Sequence, residues 1–290
     1  MIIFAPGFWI CMELIKSSQE LRNRIFGTSK NGTTGFVPTM GALHKGHLTL
    51  VEKAVNENDN VVVSIFVNPA QFNDKADLER YPRNLDVDLK LLKTTGCNIV
   101  FAPSVEDIYP EPDTRKFDFN GLDTVMEGKF RPGHFNGVAQ VVSRLFGIVE
   151  PDKAYFGLKD FQQLAIIKQM VKQLRLTVEI VPCPIVREEN GLAMSSRNEL
   201  LTIEERKNAA IIYETLTNAA KLTGKLSVFQ LVQWMTDQIN NNPYMDVEYI
   251  EIVDESSLKP VDDWNHAGKM LACVAIWCGK VRLIDNMVLN

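Results

Sequence analysis

Residues 33–67 read TTGFVPTMGALHKGHLTLVEKAVNENDNVVVSIFV, and the order of patterns along this stretch decides the architecture. TTGFVP (33–38) is a short apolar run stopped by Pro38, which reads as a buried strand. A loop holding Gly41, His44, Gly46 and His47 follows. Leu48, Val51 and Val55 then recur at helical spacing, so the loop feeds an amphipathic helix. NVVVSIFV (60–67) is a continuous β-branched run, the mark of a strand covered on both faces. Strand, helix and strand in succession make a βαβ unit with parallel strands.

The pattern continues outward. Upstream, Ser17 and Glu20 form a capping box for a helix to about Phe26, ended by Gly27. Downstream come a helix at 84–96, a strand at 97–103, a helix at 135–149, a strand at 153–157, a helix at 159–174 and a strand at 176–182. This alternation predicts an α/β fold, a parallel sheet with helices on both faces, to about residue 186. Beyond it the grammar changes. Thr202 and Glu205 open a helix to about Leu222, and Ser227 and Gln230 open another to about Asn240. Strands at 247–253, 270–278 and 281–285, with turns at 240–243 and 279–280, then predict a small C-terminal α+β domain with an antiparallel sheet. The expected division is an extension at 1–11, an α/β domain at 12–187 and a small α+β domain at 188–290, hinged near REENG (187–191).

Composition agrees. At roughly 150 residues per domain, 290 residues suggest two domains. An apolar share of 46% and a charged share of 23% exclude collagenous, coiled-coil and wholly disordered readings. The net charge of −5 argues against a nucleic-acid partner. No run approaches the roughly 20 apolar residues of a membrane span. The cysteines at 11, 97, 183, 273 and 278 show no CxxC or metal-ligand ladder, so they read as free thiols in a reducing cytoplasm. MIIFAPGFWIC (1–11) lacks a basic start and holds Pro6 and Gly7, which argues against a signal peptide; it reads as a dispensable extension before Met12.

Ligands of such sheets bind at the carboxyl ends of strands, which directs attention to PTMGALHKGHLTL (38–50). Gly41 and Gly46 allow tight turns, and a helix entrance near Gly46 offers free N–H groups to an anion. The spacing resembles a phosphate-binding loop, but His47 and Leu48 stand where Lys and Ser/Thr would be, so this is not a Walker-type site. His44 and His47 can still donate hydrogen bonds to phosphates, and a polyanion favours their charged form; the plainer alternative is two surface histidines flanking a turn. GLAMSSRNEL (191–200) places Ser195, Ser196 and Arg197 together, either for a phosphate chain or as a polar loop in which Ser196 or Asn198 caps a helix. In FGLKDFQQ (156–163), Lys159 and Asp160 follow a strand with Gln163 one turn on; alternatively Asp160 is a cap and Lys159 a solvated charge. IFVNPAQF (65–72) puts Gln71 at the same edge after an Asn68-Pro69 turn. Asp86 and Asp88 read either as Mg²⁺ ligands or as acids at a helix N-terminus. His134 reads as a phosphate contact or a helix cap, and His266 as a turn residue.

HKGH (44–47) looks like the HxGH signature of nucleotidylyltransferases and class I aminoacyl-tRNA synthetases, and MSSR (194–197) like its degenerate KMSKS-type partner. The ordered blocks FVPTMGALHKGH, VVVSIFVNPAQF, YPRNLDVDL, VFAPSVEDIYP, RPGHFNGVA, YFGLKDFQQL and AMSSRNELL, with VRLIDN near the end, resemble the pantoate–β-alanine ligase family. The resemblance implies a Rossmann-like domain, a small C-terminal α+β domain and a homodimer. It also implies a reaction of the pantothenate and coenzyme A route: pantoate and ATP give pantoyl-adenylate and pyrophosphate, and β-alanine then releases AMP. By motif, Pro38, Thr39, Met40, Gly41, Ala42, Leu43, His44, Lys45, Gly46 and His47 would line the ATP site. Gly157, Leu158, Lys159, Asp160, Val186, Met194, Ser195, Ser196 and Arg197 would join them. Of these, His47, His44, Lys159, Ser195, Ser196 and Arg197 would be the catalytic set. Gln71 and Gln163, with Met40 and Asn68, would hold pantoate, Gln71 also bordering β-alanine. Mg²⁺ would ride mainly on the ATP phosphates, with Asp88 as the candidate protein ligand.

Leu158 departs from the family pattern, where Glu or Gln is expected; its side chain is expected to face away while its backbone meets the nucleotide. Pantoate and ATP are both anions, and two unit charges 4 Å apart repel by about 4 kcal/mol at an effective dielectric near 20. His44, His47, Lys159, Arg197 and the helix entrance are expected to offset this. Two rivals share the fold: a nucleotidylyltransferase that stops after nucleotide transfer, and a non-enzymatic nucleotide sensor. A tRNA synthetase is not expected, because the chain is short, acidic and shows no anticodon-type module.

Overall fold

In chain order the first part of the protein runs β1 (Glu13–Ile15), α1 (Ser18–Gly27), β2 (Thr34–Thr39), α2 (Lys45–Glu57), β3 (Asn60–Ile65), α3 (Lys75–Arg80), α4 (Leu85–Leu92) and β4 (Ile99–Phe101). It continues with α5 (Val105–Ile108), α6 (Met126–Phe130), α7 (His134–Val149), β5 (Lys153–Gly157), α8 (Phe161–Gln173) and β6 (Glu179–Cys183). The second part holds α9 (Ile203–Asn208), α10 (Ile211–Leu222), α11 (Val228–Asn240), β7 (Met245–Asp254), β8 (Met270–Cys278) and β9 (Val281–Leu289). This computed structural model describes residues 12–27, 32–73, 75–265 and 268–289. The extension at 1–11, with Cys11, and His266 lie outside the described residues.

Six strands form one parallel sheet in the order β1-β4-β3-β2-β5-β6. Successive strands step one way from β2 to β4 and the other way from β5 to β6, so the order reverses between β2 and β5. Both faces are covered, as the β-branched run predicts. Phe36 and Val62 pack with α7 and α8 residues such as Val138, Leu145 and Ile167. Their neighbours Val37, Val61 and Val63 point to the other core, with Val51 and Ala54 of α2 and Leu92 of α4. Alternation within the strands thus divides one apolar run between two cores.

The C-terminal sheet is antiparallel, in the order β7-β8-β9. α10 and α11 cover one face through Ile212, Leu216, Leu231 and Met235. From the other, Val253, Leu271 and Cys273 pack on Met126 of α6, with Phe161 and Ala165 of α8 alongside. The Thr202/Glu205 and Ser227/Gln230 capping boxes are present. The single helix expected from 203 to 222 is instead two. α9 buries none of its residues and leaves Ile203 87% exposed, so core packing fixes only α10, which starts where the buried register of Ile212, Thr215, Leu216 and Ala219 begins. β1, α3, α5 and α6 were not legible in the sequence, being too short to develop a period.

The segment at 187–191 is braced to the C-terminal part. Arg187 pairs with Asp285 at 2.6 Å and lies over the Tyr213 ring, and Glu188 binds Arg206 at 2.8 Å. The cysteines at 97, 183, 273 and 278 are free and buried. Among the described residues no helix is long and apolar enough to cross a membrane.

Candidate active site

A cavity of about 230 Å³ opens at the carboxyl ends of β2 and β5, where the strand order reverses. This is where parallel α/β sheets bind ligands. β2 delivers Pro38, Thr39 and Met40, and β5 delivers Gly157, Lys159 and Asp160. The segment after β6 delivers Val186, Met194, Ser195, Ser196 and Arg197. Gln71, from the turn after β3, and Gln163, from the first turn of α8, complete the polar lining.

His44 and His47 are joined as a reciprocal cap at the entrance of α2. His44 is the N-cap residue, and its Nδ1 accepts the Gly46 N–H at 3.1 Å. Nδ1 of His47 accepts the His44 N–H at 3.3 Å. Each ring therefore uses Nδ1 as acceptor, which assigns the hydrogen to Nε2 in the neutral imidazole. Gly46 has to be glycine, because a Cβ there would lie 2.9 Å from Cε1 and Nδ1 of His44. Burial, then the nearby Lys159 charge, lowers His44 to a pKa of about 4. Burial, then His44 and Lys159, lowers His47 to about 3. Burial and the Lys159 charge thus favour the neutral imidazoles, each with its Nε2–H free of the cap, beside the cationic side chains of Lys159 and Arg197.

The loop between β2 and α2 turns through left-handed backbone at Gly41 (φ 81°) and Ala42 (φ 49°). Asp88 of α4 holds it there. Its carboxylate accepts the Ala42 N–H at 3.0 Å and the Leu43 N–H at 2.7 Å. Asp88 does stand in the first turn of α4, as expected of a helix acid, and both its oxygens are turned to the loop. Burial raises its pKa against the pull of those two N–H groups. Ser196 Oγ donates to the Ala42 carbonyl at 2.9 Å, tying the second motif to the first. Among the described residues no group of three or more His, Cys, Asp or Glu is disposed to hold a metal ion.

Other expected residues fall elsewhere. Gly41, Ala42, Leu43 and Lys45 are not lining residues; the first three shape the loop, and Lys45 is exposed. Asn68 does not line the cavity either. It is buried, caps Ala70, donates to the Gly137 carbonyl at 3.1 Å and to Gln71, and accepts from Tyr109, so it supports Gln71 from behind. The Leu158 side chain packs against the main core, while its carbonyl and that of Lys159 accept from Asn286 of β9 at 2.9 and 3.0 Å. His134 neither caps a helix through its ring nor lines this cavity: Nδ1 lies 2.6 Å from the Gln71 carbonyl.

Three contributions escaped sequence reasoning. Val138, Val141, Val142 and Leu145 of α7 form an apolar wall. The helix was legible, but its buried stripe serves core and cavity alike and carries no separate signal. Tyr81 sits under the Arg197 guanidinium at 5.5 Å, and Asp77 pairs with Arg197 at 2.9 Å. Both contacts are remote in sequence.

The comparisons with known proteins point the same way. The sequence model of the Pantoate-beta-alanine ligase family matches residues 13–288. The chain belongs to the pantoate–β-alanine ligase family. It is 53% identical over 277 residues to the pantothenate synthetase of Bacteroides fragilis, covering 95% of this chain and 98% of that one. Against the crystal structure of the Thermus thermophilus enzyme the TM-score is 0.88 at 44% identity, covering 94% of this chain and 98% of that one. Against the Francisella tularensis ligase, solved in complex with beta-gamma ATP and β-alanine, the TM-score is 0.80 at 36% identity, covering 96% and 98% of the two chains. Family members share the parallel six-stranded sheet and C-terminal antiparallel sheet found here.

Proposed function

We infer that this chain condenses pantoate with β-alanine, using ATP as co-substrate, in the crevice between β2 and β5. The observation that carries the reading is the convergence on one cavity of His44, His47, Lys159, Ser195, Ser196 and Arg197 with the paired amides Gln71 and Gln163. In the first step a pantoate carboxylate oxygen bonds to the α-phosphorus; the bond to the β-phosphate oxygen breaks, and its electron pair leaves with pyrophosphate. In the second, the β-alanine nitrogen bonds to the acyl carbon, the bond to AMP breaks, and the amine proton passes to water. The carboxylate is its own nucleophile, so the protein's task is to hold two anions together and to stabilise charge moving onto pyrophosphate.

The imidazoles serve as neutral Nε2–H donors, with Lys159, Arg197 and the α2 entrance supplying positive potential. Ser195, whose Oγ accepts the Arg197 N–H, keeps its hydroxyl hydrogen to donate, whereas Ser196 spends its own on the Ala42 carbonyl and holds the loop. Gln71 and Gln163 suit pantoate, because an amide both donates to and accepts from hydroxyl groups. Mg²⁺ would be held mainly by the triphosphate, where it would neutralise phosphate charge, while Asp88 holds the Ala42 and Leu43 N–H groups of the loop. The C-terminal part acts as a lid over the nucleotide, a role that the Asn286 contact with the Leu158 and Lys159 carbonyls supports. A cytoplasmic homodimer completes the reading; size-exclusion chromatography with light scattering tests the dimer.

Purified protein should release pyrophosphate from ATP only when pantoate is present. AMP release should require β-alanine, and the product should have the mass of pantothenate. Pyrophosphate release without pantoate, or AMP release indifferent to β-alanine, would return the chain to a simple nucleotidylyltransferase.

A further inference from the structure

Gln71 is buried in the turn after β3, and its side chain lines the cavity. Its backbone carbonyl meets Nδ1 of His134 at 2.6 Å, so what is left to orient is the side-chain amide. Turned end for end, an amide reverses what it offers a ligand: the carbonyl accepts and the NH₂ donates. Asn68 settles which end faces in. Its Oδ1 accepts the Ala70 N–H at 3.3 Å, and its Nδ2 donates to the Gly137 carbonyl at 3.1 Å. Two backbone groups of fixed polarity thus fix the Asn68 amide. Nδ2 of Asn68 also donates to Oε1 of Gln71 at 3.3 Å. The Gln71 carbonyl is thereby turned back into the protein, and Nε2 faces Met40 of the cavity lining, whose Sδ it meets at 2.9 Å. A thioether is a weak acceptor, so a ligand oxygen displaces it at little cost.

The chain of donors starts one residue further out, at Tyr109, which lines neither this cavity nor its larger neighbour against the C-terminal sheet. Its hydroxyl lies 3.0 Å from Oδ1 of Asn68, an acceptor, and so donates. Burial, then the Asp113 charge, pushes the phenol up to about 12, which keeps that hydrogen in place near neutral pH. Arg144 sets the ring: its guanidinium lies 5.1 Å from the ring centre, donates to Asp113 at 2.7 Å and donates to the Ile108 carbonyl at 3.1 Å. A bond accepted at an amide oxygen polarises that amide and strengthens its N–H as a donor. We propose that Tyr109 is a positioning residue for the acid substrate: through Asn68, its hydroxyl holds the Gln71 amide with Nε2–H toward the cavity, so that Gln71 meets pantoate as a donor only. The proposal rests on the ligase reading. Without the hydroxyl the amide can turn its carbonyl inward, against the lone pairs of the acid.

The test is a mutant cycle on the full-length protein, read by pantoate-dependent ATP–pyrophosphate exchange. Tyr109→Phe keeps the ring beneath Arg144 and removes only the hydroxyl. The pantoate KM should rise about threefold to tenfold, the scale of one net hydrogen bond, while the ATP KM stays near the wild-type value. Gln71→Met keeps the volume but has no amide to orient. In that background Tyr109→Phe should leave the pantoate KM unchanged, because the two residues act as one unit. Arg144→Met removes the brace of the ring and leaves Asp113 its bond to Arg115. It should give the same cycle with Gln71→Met, and it serves alone if the phenylalanine variant does not fold. An unchanged pantoate KM in Tyr109→Phe overturns the proposal. So does an equal rise in both backgrounds, or an equal rise in the ATP and pantoate KM values, either of which would make Tyr109 a brace of the fold. Absence of exchange in the wild-type protein would instead overturn the ligase reading itself.

Discussion

The His47 Nδ1 atom accepts the backbone N–H of His44 at 3.3 Å, with the two rings 4.0 Å apart. The signature that identifies the site is therefore also a helix cap, and the cap requires neutral imidazoles. His44 titrates at about 4, His47 at about 3, and His134, buried beside Arg131, at about 4, against 6.5 for a free imidazole. Between about pH 6.5 and about pH 4 the unfolded chain binds protons that the folded chain refuses, so stability falls as pH falls through that window. Urea midpoints without nucleotide should decline from about pH 7 to about pH 5, and the decline should be shallower in His134→Asn. A flat profile would contradict the buried neutral state.

His47→Ala removes one Nε2–H donor and half of the reciprocal cap. Pantoate-dependent ATP–pyrophosphate exchange should fall about 10²-fold or more, the usual scale for removing one preorganised donor. The β-alanine KM should change little, because the donor acts before the amine arrives. Wild-type exchange in this variant would end the assignment.

Gln163→Ala should raise the pantoate KM far more than the ATP KM. A buried amide that pairs with a hydroxyl discriminates strongly, because its loss leaves polar groups without partners. Gln163 lines the cavity, whereas its neighbour Gln162 donates to the Leu122 and Val125 carbonyls and accepts from the Glu127 N–H. Gln162→Ala should therefore act on stability, and Gln163→Ala on substrate. Steady-state kinetics and melting curves on the two variants separate the roles; equal rises in both KM values for Gln163→Ala would count against it.

Much of this was legible in the sequence because it rests on local grammar. The alternation of periods gave the parallel sheet, and glycine and histidine spacing located the crevice. What stayed hidden depends on distant partners. Asp88 reads as an ordinary helix acid until α4 packs beside the Gly41–Leu43 loop and both its oxygens meet backbone N–H groups. Asn68 reads as a binding residue until its amide is seen to be used by Gly137, Gln71 and Tyr109. Strand β1 is three residues long and exists because β4 offers it an edge.

Asp88→Ala strips the acceptor from two N–H groups of a left-handed turn, one of them on buried Leu43. Leaving such donors without partners costs about 1–3 kcal/mol each. Denaturant titration should show a loss of that order, and the ATP KM should rise as the loop loosens. Excess Mg²⁺ should not restore the ATP KM; full rescue by magnesium would make Asp88 a metal ligand after all.

Glu127 and Arg282 test how the two sheets are held together. Arg282 reaches Glu127 at 2.7 and 2.8 Å and Glu248 at 2.5 Å, with all three side chains largely buried. Burial alone would raise the Glu127 pKa, but the hydrogen bonds and charge of Arg282 hold it below the usual carboxylate range. Arg282→Met strands two carboxylates at once and should cost about 3–5 kcal/mol, the range for breaking a buried pair. Glu127→Gln leaves Arg282 paired with Glu248 and should cost clearly less. The deficit of Arg282→Met should shrink as pH falls from about 7 to about 5, since buried Glu127 can then bind a proton that Arg282 prevents in the wild type. Equal costs for the two variants, or a deficit indifferent to pH, would mean that apolar packing of Met126, Leu271 and Cys273 holds this junction without the ion pairs.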